Sequence, residues 1–572
     1  VWVGNSDVGT VTGIDALTGA RRNFRFEHPV QGVAAGSGAL MITLGPGRTY
    51  EDVIDGLDGK VARLFAPAGF LATPDPATLF GAFGYWVESA TCAKLLRYPD
   101  APATGDWGLQ PEVAGSMPNV SPDGRTYTFT VRPGYRFSPP SNESLTAETF
   151  RYSIERALSP EVRGPGHFWV WDIEGQRSFR HGEADHISGL RAEGDTLTIE
   201  LVGPAPDFLD RLSVPFFCPV PTDTPIVSGG AGAYASYPHR APLAVASAGP
   251  YYIADHLDGE YAILRRNPNY TGPRPQAFDA IALREGVDAG VAVRLVESGE
   301  WDGITHVADP LLTPAGPVAE EYGAEAASGE ALAYYAAPTA LTGFFAFNAS
   351  RPPFSDPDVR RAAALAIDRE ALAEIWGNAP TDQLLPPVMP GFKNLELYPL
   401  DGSGLGEARA LMRGRTVTAV MAVPAGSDRS RQEAEVVRSN LAPIGITVEI
   451  EEGPPDLGFG MPRLDTNIDL YGVGITQDYP DPATFLYEMF HFRVPPGWLP
   501  EGVAEQVEGL FELTGAEQRS ATVALADRLA TDEVPVAADL YGVVPTLLSP
   551  NLRCRVFPPF GYGIDLAALC PS

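Results

Sequence analysis

One group of residues that could do chemistry is a short cluster of histidines and acids at 181–186. The cluster lacks the two-histidine spacing of a zinc-binding helix, and its Gly and Asp content favours a solvated loop. The chain has no phosphate-binding Gly-Lys loop, because Gly59-Lys60 is followed by Val61 and the other lysines follow no glycine loop. It also has no Gly-x-Ser-x-Gly nucleophile elbow. We therefore expect no catalytic residues, no metal site and no cofactor.

The cysteines are the second chemically reactive group: Cys92, Cys218, Cys554 and Cys570. They show no Cys-x-x-Cys pair and no zinc spacing, so they are either isolated buried thiols or two disulfides. Disulfides would place the protein outside the cytosol. Four cysteines allow three pairings, which stay open here. The short separation of Cys554 from Cys570 favours that pair, which leaves Cys92 for Cys218.

The charge balance is strongly acidic, since 41 basic and 72 acidic side chains among 572 residues give a formal charge of −31. This field repels nucleic acids and anionic membrane surfaces, which we exclude as main partners. The length predicts about two to four domains. No apolar run approaches the roughly 18 residues that a membrane-spanning helix needs. The first residues show no signal-peptide pattern, so we expect any export signal or anchor to lie outside this chain.

The elements that must position functional residues begin with short β-prone runs at 1–5, 9–15, 32–35 and 39–43, which Gly, Asp and Asn turns separate. They predict antiparallel strands. Their Val-Trp-Val-Gly-Asn-Ser pattern resembles one blade of a β-propeller, although no second copy follows. Residues 1–60 are therefore predicted to be a blade-like, all-β segment.

Beyond residue 62 the sequence predicts mixed α and β structure. Period-two alternation predicts strands at 126–131 and 196–201, and Thr146 is placed to cap the helix that follows it. Acids and Pro357 at the start of 356–368 predict a second helix.

A strand, a helix and a second strand are predicted at 416–420, 431–441 and 446–450. Such a βαβ unit pairs its strands in parallel. We therefore expect a mostly parallel sheet in the later part of the chain.

Several collinear segments carry a family resemblance. They are 121–137 with 145–156, 249–251 with 264–270, 347–348 with 352–370, 445–448, and 478–482. Together they resemble the extracellular solute-binding proteins of ABC importers, in the subgroup for oligopeptides, dipeptides and nickel known as family 5. The resemblance extends from about residue 62 to the C-terminus.

The resemblance implies a two-lobed α/β fold of the periplasmic-binding-protein type (type II, Venus-flytrap), with an extra domain inserted into the first lobe. Lobe I would consist of 61–85, 187–287 and 533–572, the insert of 86–186, and lobe II of 288–532. Ligand-driven closure of such lobes is a hinge motion.

The family's binding motif maps onto Asp478, which would pair with the α-ammonium group of a ligand, and onto the adjacent Tyr479. Gly474, Ile475 and Thr476 would line the cleft beside it. The alternative is that Asp478 caps a turn before a proline.

On the other lobe, Tyr85 and Trp86 follow the segment that enters the cleft in the family. Large aromatic side chains make good pocket walls. The alternative is that both belong to the hydrophobic core, where aromatic residues beside apolar runs are more often found.

The function implied by the resemblance is non-enzymatic. The protein would capture a peptide-like or amine-bearing solute and deliver it to an ABC permease, acting as a monomer at the cell surface or in the periplasm. The alternative is a solute-sensing module of a larger regulatory protein, which the propeller-like start favours. Residues preceding Val1 would discriminate the two.

Overall fold

The computed structural model of the chain describes residues 2–5, 10–14, 21–25, 30–36, 39–44, 50–67, 69, 75–78, 82–99, 108–162, 165–224, 246–257, 259–323, 331–455, 457, 467–495, 497–558 and 563–572. Helices and strands alternate along most of these ranges. The prediction of a mixed α/β protein is confirmed.

The N-terminal part forms antiparallel strands, as predicted, with one strand that the sequence analysis missed. The strands are β1 (Trp2–Asn5), β2 (Thr10–Ile14), β3 (Arg21–Arg25), β4 (Val30–Gly36) and β5 (Ala39–Leu44). They pair as a three-stranded sheet, β1-β2-β3, and a separate β4-β5 hairpin. A propeller blade is a single four-stranded sheet. The resemblance to a blade is not confirmed, and the predicted strand residues Val1, Gly9 and Asp15 lie outside the described part of the chain.

The elements that follow contain the first half of the main sheet and a small additional sheet. They are α1 (Tyr50–Asp55), β6 (Val61–Ala66), α2 (Ala82–Thr91), β7 (Leu96–Arg97), β8 (Gln110–Pro111), β9 (Asn119–Val120), β10 (Thr126–Thr130), α3 (Ala147–Leu158), α4 (Gln176–Arg180), β11 (Leu190–Glu193), β12 (Thr196–Glu200), α5 (Phe208–Leu212), β13 (Tyr251–Leu257), β14 (Tyr261–Arg266), β15 (Ala280–Glu285), α6 (Ala289–Glu297), β16 (Gly303–Thr305) and α7 (Pro317–Tyr322).

The remaining elements complete the main sheet and the helices that cover it. They are β17 (Ala333–Phe347), α8 (Pro357–Ala366), α9 (Arg369–Trp376), β18 (Ala379–Pro380), α10 (Leu405–Met412), β19 (Val417–Pro424), α11 (Asp428–Leu441), β20 (Ile446–Gly453), β21 (Leu470–Thr476), α12 (Pro482–Glu488), α13 (Val503–Glu508), α14 (Gly515–Arg528), β22 (Val536–Leu548), β23 (Leu552–Arg553) and β24 (Cys570–Pro571).

The main sheet of the described residues has 11 strands in the order β13-β14-β15-β6-β16-β22-β17-β21-β19-β20, with β18 beside β22. The predicted βαβ unit is confirmed, since β19 and β20 pair in parallel across α11. The expectation of a mostly parallel sheet is wrong for the centre, where β17 pairs antiparallel with both β21 and β22. The reason is that the chain passes through the centre of the sheet once in each direction, along β17 and back along β22.

Strands β17 and β22 join the two halves of this sheet. Ala333 of β17 lies opposite Leu548, and Ala346 lies opposite Val536, so one ladder extends along both strands. The register shifts between Pro338 and Thr342. Each half of the sheet therefore contains part of both strands.

Local sequence signals explain several helix starts. The predicted cap Thr146 accepts a hydrogen bond from the backbone N–H of Thr149, whose hydroxyl in turn accepts from the N–H of Thr146. A threonine thus takes the place that Glu has in the usual capping box. Asp356 caps α8 by accepting a hydrogen bond from the backbone N–H of Asp358, directly before Pro357.

Two disulfides stabilise the fold, Cys92–Cys218 and Cys554–Cys570, as predicted. The second joins β23 to β24 near the C-terminus. Across the described ranges, no helix combines the length and the apolar character that crossing a membrane requires.

Candidate functional site

A cavity that is partly open to solvent lies between helix α2 and the segment that follows β21. Its wall contains four acidic and three basic side chains: Glu88, Glu112, Asp478 and Asp565, with Lys94, Arg97 and Arg274. The other lining residues are Tyr85, Ser89, Cys92, Tyr98, Pro99, Ser213, Pro215, Cys218 and Pro558.

Helix α2 presents one face to this cavity. Tyr85, Glu88, Ser89 and Cys92 all line it, and their i, i+3, i+4, i+7 spacing places them on one side of a helix. Tyr85 is 3% exposed and meets the ring of Phe216 edge to face at 5.6 Å. The disulfide from Cys92 to Cys218 fixes the C-terminal end of this face.

Glu88 is the unusual member of the face. It is 5% exposed, and neither carboxyl oxygen has a hydrogen-bond partner. Burial raises the pKa of Glu88 well above its ordinary value, the nearby charge of Asp75 raises it further, and Lys94 opposes the shift. Asp75 itself is paired, because Arg156 donates to both of its oxygens at 2.7 and 2.5 Å.

The basic side of the cavity is tied to main-chain carbonyls and to Glu112. The Lys94 ammonium donates to the carbonyl of Ser213. Burial lowers the pKa of Lys94 to about 8, against the opposing effect of Glu112. Arg274 donates to the carbonyl of Cys92 at 3.0 Å, and its guanidinium lies 3.7 Å from Glu112.

Asp478 enters the cavity from the other half of the sheet. It lies two residues after the end of β21, and helix α12 begins four residues later. The helix is capped by Asp481, which accepts from the N–H groups of Ala483 and Thr484 at 2.7 and 3.0 Å. Asp481 therefore has a structural role at the start of α12. Burial raises the pKa of Glu488 on the same helix to about 8, and the charge of Asp478 adds to the shift.

Tyr479 connects this segment to the opposite wall. It is 2% exposed, and its hydroxyl donates to Asp207 Oδ2 at 3.2 Å. Burial raises the pKa of Tyr479 well above its usual value, with Asp207 adding to the shift, so the phenol stays protonated as a donor. Asp207 also forms an ion pair with Arg211, which is held by a second acid, Asp172.

The remaining predicted site residues lie behind or beside the cavity wall. Trp86 is fully buried, and its indole N–H donates to the carbonyl of Ile564 at 2.8 Å. Ile475 is 1% exposed within the hydrophobic core under β21. Gly474 pairs with Gly343 in the sheet, and Thr476 is exposed at the end of the strand. The structure therefore brings Asp478 and Tyr85 to one cavity and places the other predicted residues around them.

The sequence analysis missed Glu88, Lys94, Arg97, Glu112, Asp207 and Arg274. One signal was available for Glu88, since the helical face that contains Tyr85 continues through it. The others come from separate segments that only the fold brings together. The histidine cluster at 181–186 is exposed, as expected for a solvated loop.

The model for the family "Bacterial extracellular solute-binding proteins, family 5 Middle" matches residues 108–494 of this chain. Two curated relatives are similar in sequence. "Probable di/tripeptide-binding protein 5" of Pseudomonas aeruginosa (strain UCBPP-PA14) is 27% identical over 65% of this chain and 69% of the relative. "Oligopeptide-binding protein OppA" of Bacillus subtilis (strain 168) is 22% identical over 79% of this chain and 84% of the relative.

Solved structures show the same fold. "Clavulanic acid biosynthesis oligopeptide binding protein 2" superposes with a TM-score of 0.71 at 22% identity, over 90% of this chain and 96% of that one. "MppA Periplasmic Murein Tripeptide Binding Protein, Unliganded Open Form" superposes with a TM-score of 0.69 at 18% identity, over 90% of this chain and 98% of that one. The predicted two-lobed α/β fold is confirmed.

Proposed function

The chain belongs to the bacterial extracellular solute-binding proteins of family 5, and from that premise we propose that it captures a short peptide by its α-ammonium group and delivers it to an ABC permease. The observation that carries the proposal is the position of Asp478, which lines a cavity together with residues of α2. The relatives named as di/tripeptide-binding and oligopeptide-binding proteins support a peptide as the solute.

Asp478 is suited to bind an ammonium group. A carboxylate that meets a cation in a cavity shielded from water forms a charge-assisted hydrogen bond, which is stronger than a neutral one. The hydrogen bond from Tyr479 to Asp207 and the cap at Asp481 hold the chain directly after it. The carboxylate is therefore positioned before the ligand arrives, which reduces the entropic cost of binding.

We assign the other predicted site residues different roles. Tyr85 lines the cavity and would contact the ligand. Gly474, Ile475 and Thr476 would act through the strand that presents Asp478, and Trp86 would support the wall behind Tyr85. These roles follow from the lining of the cavity, which includes Tyr85 and Asp478 but not Trp86, Gly474, Ile475 or Thr476.

We propose that the lobes meet along β17 and β22. The sequence analysis placed the start of lobe II at residue 288. Strand β16 (Gly303–Thr305) pairs with β6 of lobe I and with β22, so we assign β16 to lobe I. The other boundaries are kept: lobe I includes 61–85, 187–287 and 533–572, the insert is 86–186, and lobe II ends at 532.

We propose that the partner is the membrane permease. The protein would bind it as a monomer, outside the cytoplasm.

The proposal is tested by titrating the purified protein with Ala-Ala-Ala and with N-acetyl-Ala-Ala-Ala in a calorimeter. Acetylation removes the ammonium charge and leaves the peptide backbone in place. We expect the parent peptide to bind and the acetylated one to bind much more weakly. Equal affinity would contradict the role of Asp478, and mass spectrometry of solutes released from the denatured protein would then identify what the cavity holds.

A further inference from the structure

Glu88 is a buried carboxyl group without a hydrogen-bond partner on the wall of the cavity. Burying such a group is costly, because it loses water and gains nothing in return. Buried polar atoms without partners are uncommon in folded proteins, and each one calls for an explanation. Its place on the cavity wall indicates that the partner is a bound solute.

The charged groups around Glu88 are engaged elsewhere. Asp75 is paired bidentately with Arg156, and the ammonium of Lys94 donates to the carbonyl of Ser213. Across the cavity, the guanidinium of Arg274 is directed to the carbonyl of Cys92 and to Glu112. The nearby cations therefore do not satisfy the carboxyl group of Glu88.

We propose that Glu88 is a second ligand-binding carboxylate, and that the preferred solute carries a second cationic group besides the ammonium that Asp478 binds. This inference rests on the proposed function and narrows its substrate class to short peptides with an amine on a side chain. Asp478 and Glu88 line the same cavity. A ligand whose single cation is bound at Asp478 would leave the carboxyl group of Glu88 without a hydrogen-bond partner.

The proposal has a consequence besides affinity. Burial favours the protonated form of the Glu88 carboxyl group, because it raises the pKa of the group. A cation that binds beside it favours the ionised form. Binding of the peptide with two cationic groups should therefore release a proton to the buffer. Binding of an analogue with an uncharged side chain should not.

The experiment compares Ala-Lys-Ala with Ala-norleucine-Ala, which keeps the four side-chain carbons of lysine but lacks the amine. Calorimetric titrations are run in two buffers that differ in ionisation enthalpy, with the full chain and with Glu88→Gln. We expect the lysine peptide to bind at least about tenfold tighter to the parent protein, in line with a hydrogen bond between charged groups. We expect Glu88→Gln to remove that preference and the proton release.

Equal affinity of the parent protein for the two peptides would overturn the role of Glu88 and leave the role of Asp478 standing. A loss of both affinities in Glu88→Gln would also overturn it, since that result indicates a structural role. The buffer comparison on the parent protein does not depend on how the variant folds. If no peptide binds, 1,5-diaminopentane and pentylamine serve as probes. Tighter binding of the diamine than of pentylamine would then uphold the role of Glu88 in binding a cation and overturn the proposal that the solute is a peptide. If neither amine binds, both proposals are overturned.

Discussion

The hydroxyl of Tyr479 lies 3.2 Å from Oδ2 of Asp207, and the two residues are separated by 272 positions in the sequence. Tyr479 is directly attached to Asp478, so this hydrogen bond fixes the segment that presents the proposed ammonium-binding carboxylate. Because Asp207 belongs to the part of the chain that carries the opposite wall, the bond also holds the two sides of the cavity together.

Replacing Tyr479 with Phe is expected to weaken peptide binding. The variant keeps the ring in the core and loses only the donor, and a hydrogen bond contributes about 1 kcal/mol net. Calorimetry with Ala-Ala-Ala should show roughly a fivefold loss of affinity. The ion pair of Asp207 with Arg211 remains and limits the effect. An unchanged affinity would show that the bond has no part in holding the cavity closed.

Replacing Asp478 with Asn is expected to cost about 2–5 kcal/mol of peptide affinity, the range for removing one partner of a buried charge pair. The matched control is Asp481→Asn, which removes a charge three residues away but keeps a residue that caps helices well. We expect the control to bind almost as the parent does. Similar losses in both variants would mean that the general negative charge of the segment matters, and not the specific carboxylate.

The buried acids Glu433 and Asp539 should make the protein less stable as the pH rises. Burial raises the pKa of both groups, the charge of Asp539 raises that of Glu433 further, and Arg369 and Trp376 oppose the shifts. The folded state then holds protons that the unfolded state has lost above about pH 4, so the free energy of unfolding falls by roughly 1.4 kcal/mol per pH unit for each such proton.

Urea unfolding between pH 5 and 8 measures this slope, and Asp539→Asn should flatten it. The asparagine removes one titrating group and relieves Glu433 of its neighbour's charge. Asp123→Asn is a suitable control, because that residue is exposed on the surface. A slope that is the same in Asp539→Asn and the parent would show that the pair does not determine the pH dependence.

The two disulfides should differ in their contribution to stability. Cys92 and Cys218 are 126 positions apart, whereas Cys554 and Cys570 are 16 apart. The chain-entropy model then predicts that removing the first costs about 5 kcal/mol and removing the second about 3 kcal/mol. Urea unfolding of the two double Cys→Ala variants measures both. A larger cost for the short loop would show that local packing at the C-terminus outweighs loop entropy.

Gly249→Ala is expected to destabilise the protein by about 1–3 kcal/mol, the usual cost of overpacking. A Cβ at this position would lie 2.4 Å from the carbonyl carbon of Thr91, while the glycine N–H donates to the Thr91 oxygen at 2.8 Å. Gly203→Ala is the matched control, because a Cβ there would meet nothing within 4 Å. Equal unfolding free energies for the two variants, measured in urea, would contradict this account of the close approach.

The sequence predicted the elements whose signals are local. Thr146, Asp356 and the strand-helix-strand unit around α11 are recognisable because caps and periodicity depend only on neighbouring residues. Gly249 was part of a recognised motif, but its physical role needs the backbone of Thr91, which is distant in the sequence.

The candidate site was only partly predictable for the same reason. Asp478 and Tyr85 were identified through the family resemblance, and Glu88 could have been found from the helical spacing that starts at Tyr85. The contact of Tyr479 with Asp207 has no sequence signal, because nothing in either segment specifies a partner more than 200 residues away. The antiparallel centre of the sheet was missed because a βαβ unit predicts the pairing direction of its own two strands and not that of the other strands in the sheet.

The pairing of β17 with β22 on both sides of their register shift has a consequence for how the protein unfolds. Each half of the sheet takes its central strands from the same two segments, Ala333–Phe347 and Val536–Leu548. Neither half can lose its structure without removing pairing partners from the other, which couples their stabilities. We expect heat to melt both halves in a single cooperative transition, with calorimetric and van't Hoff enthalpies that agree.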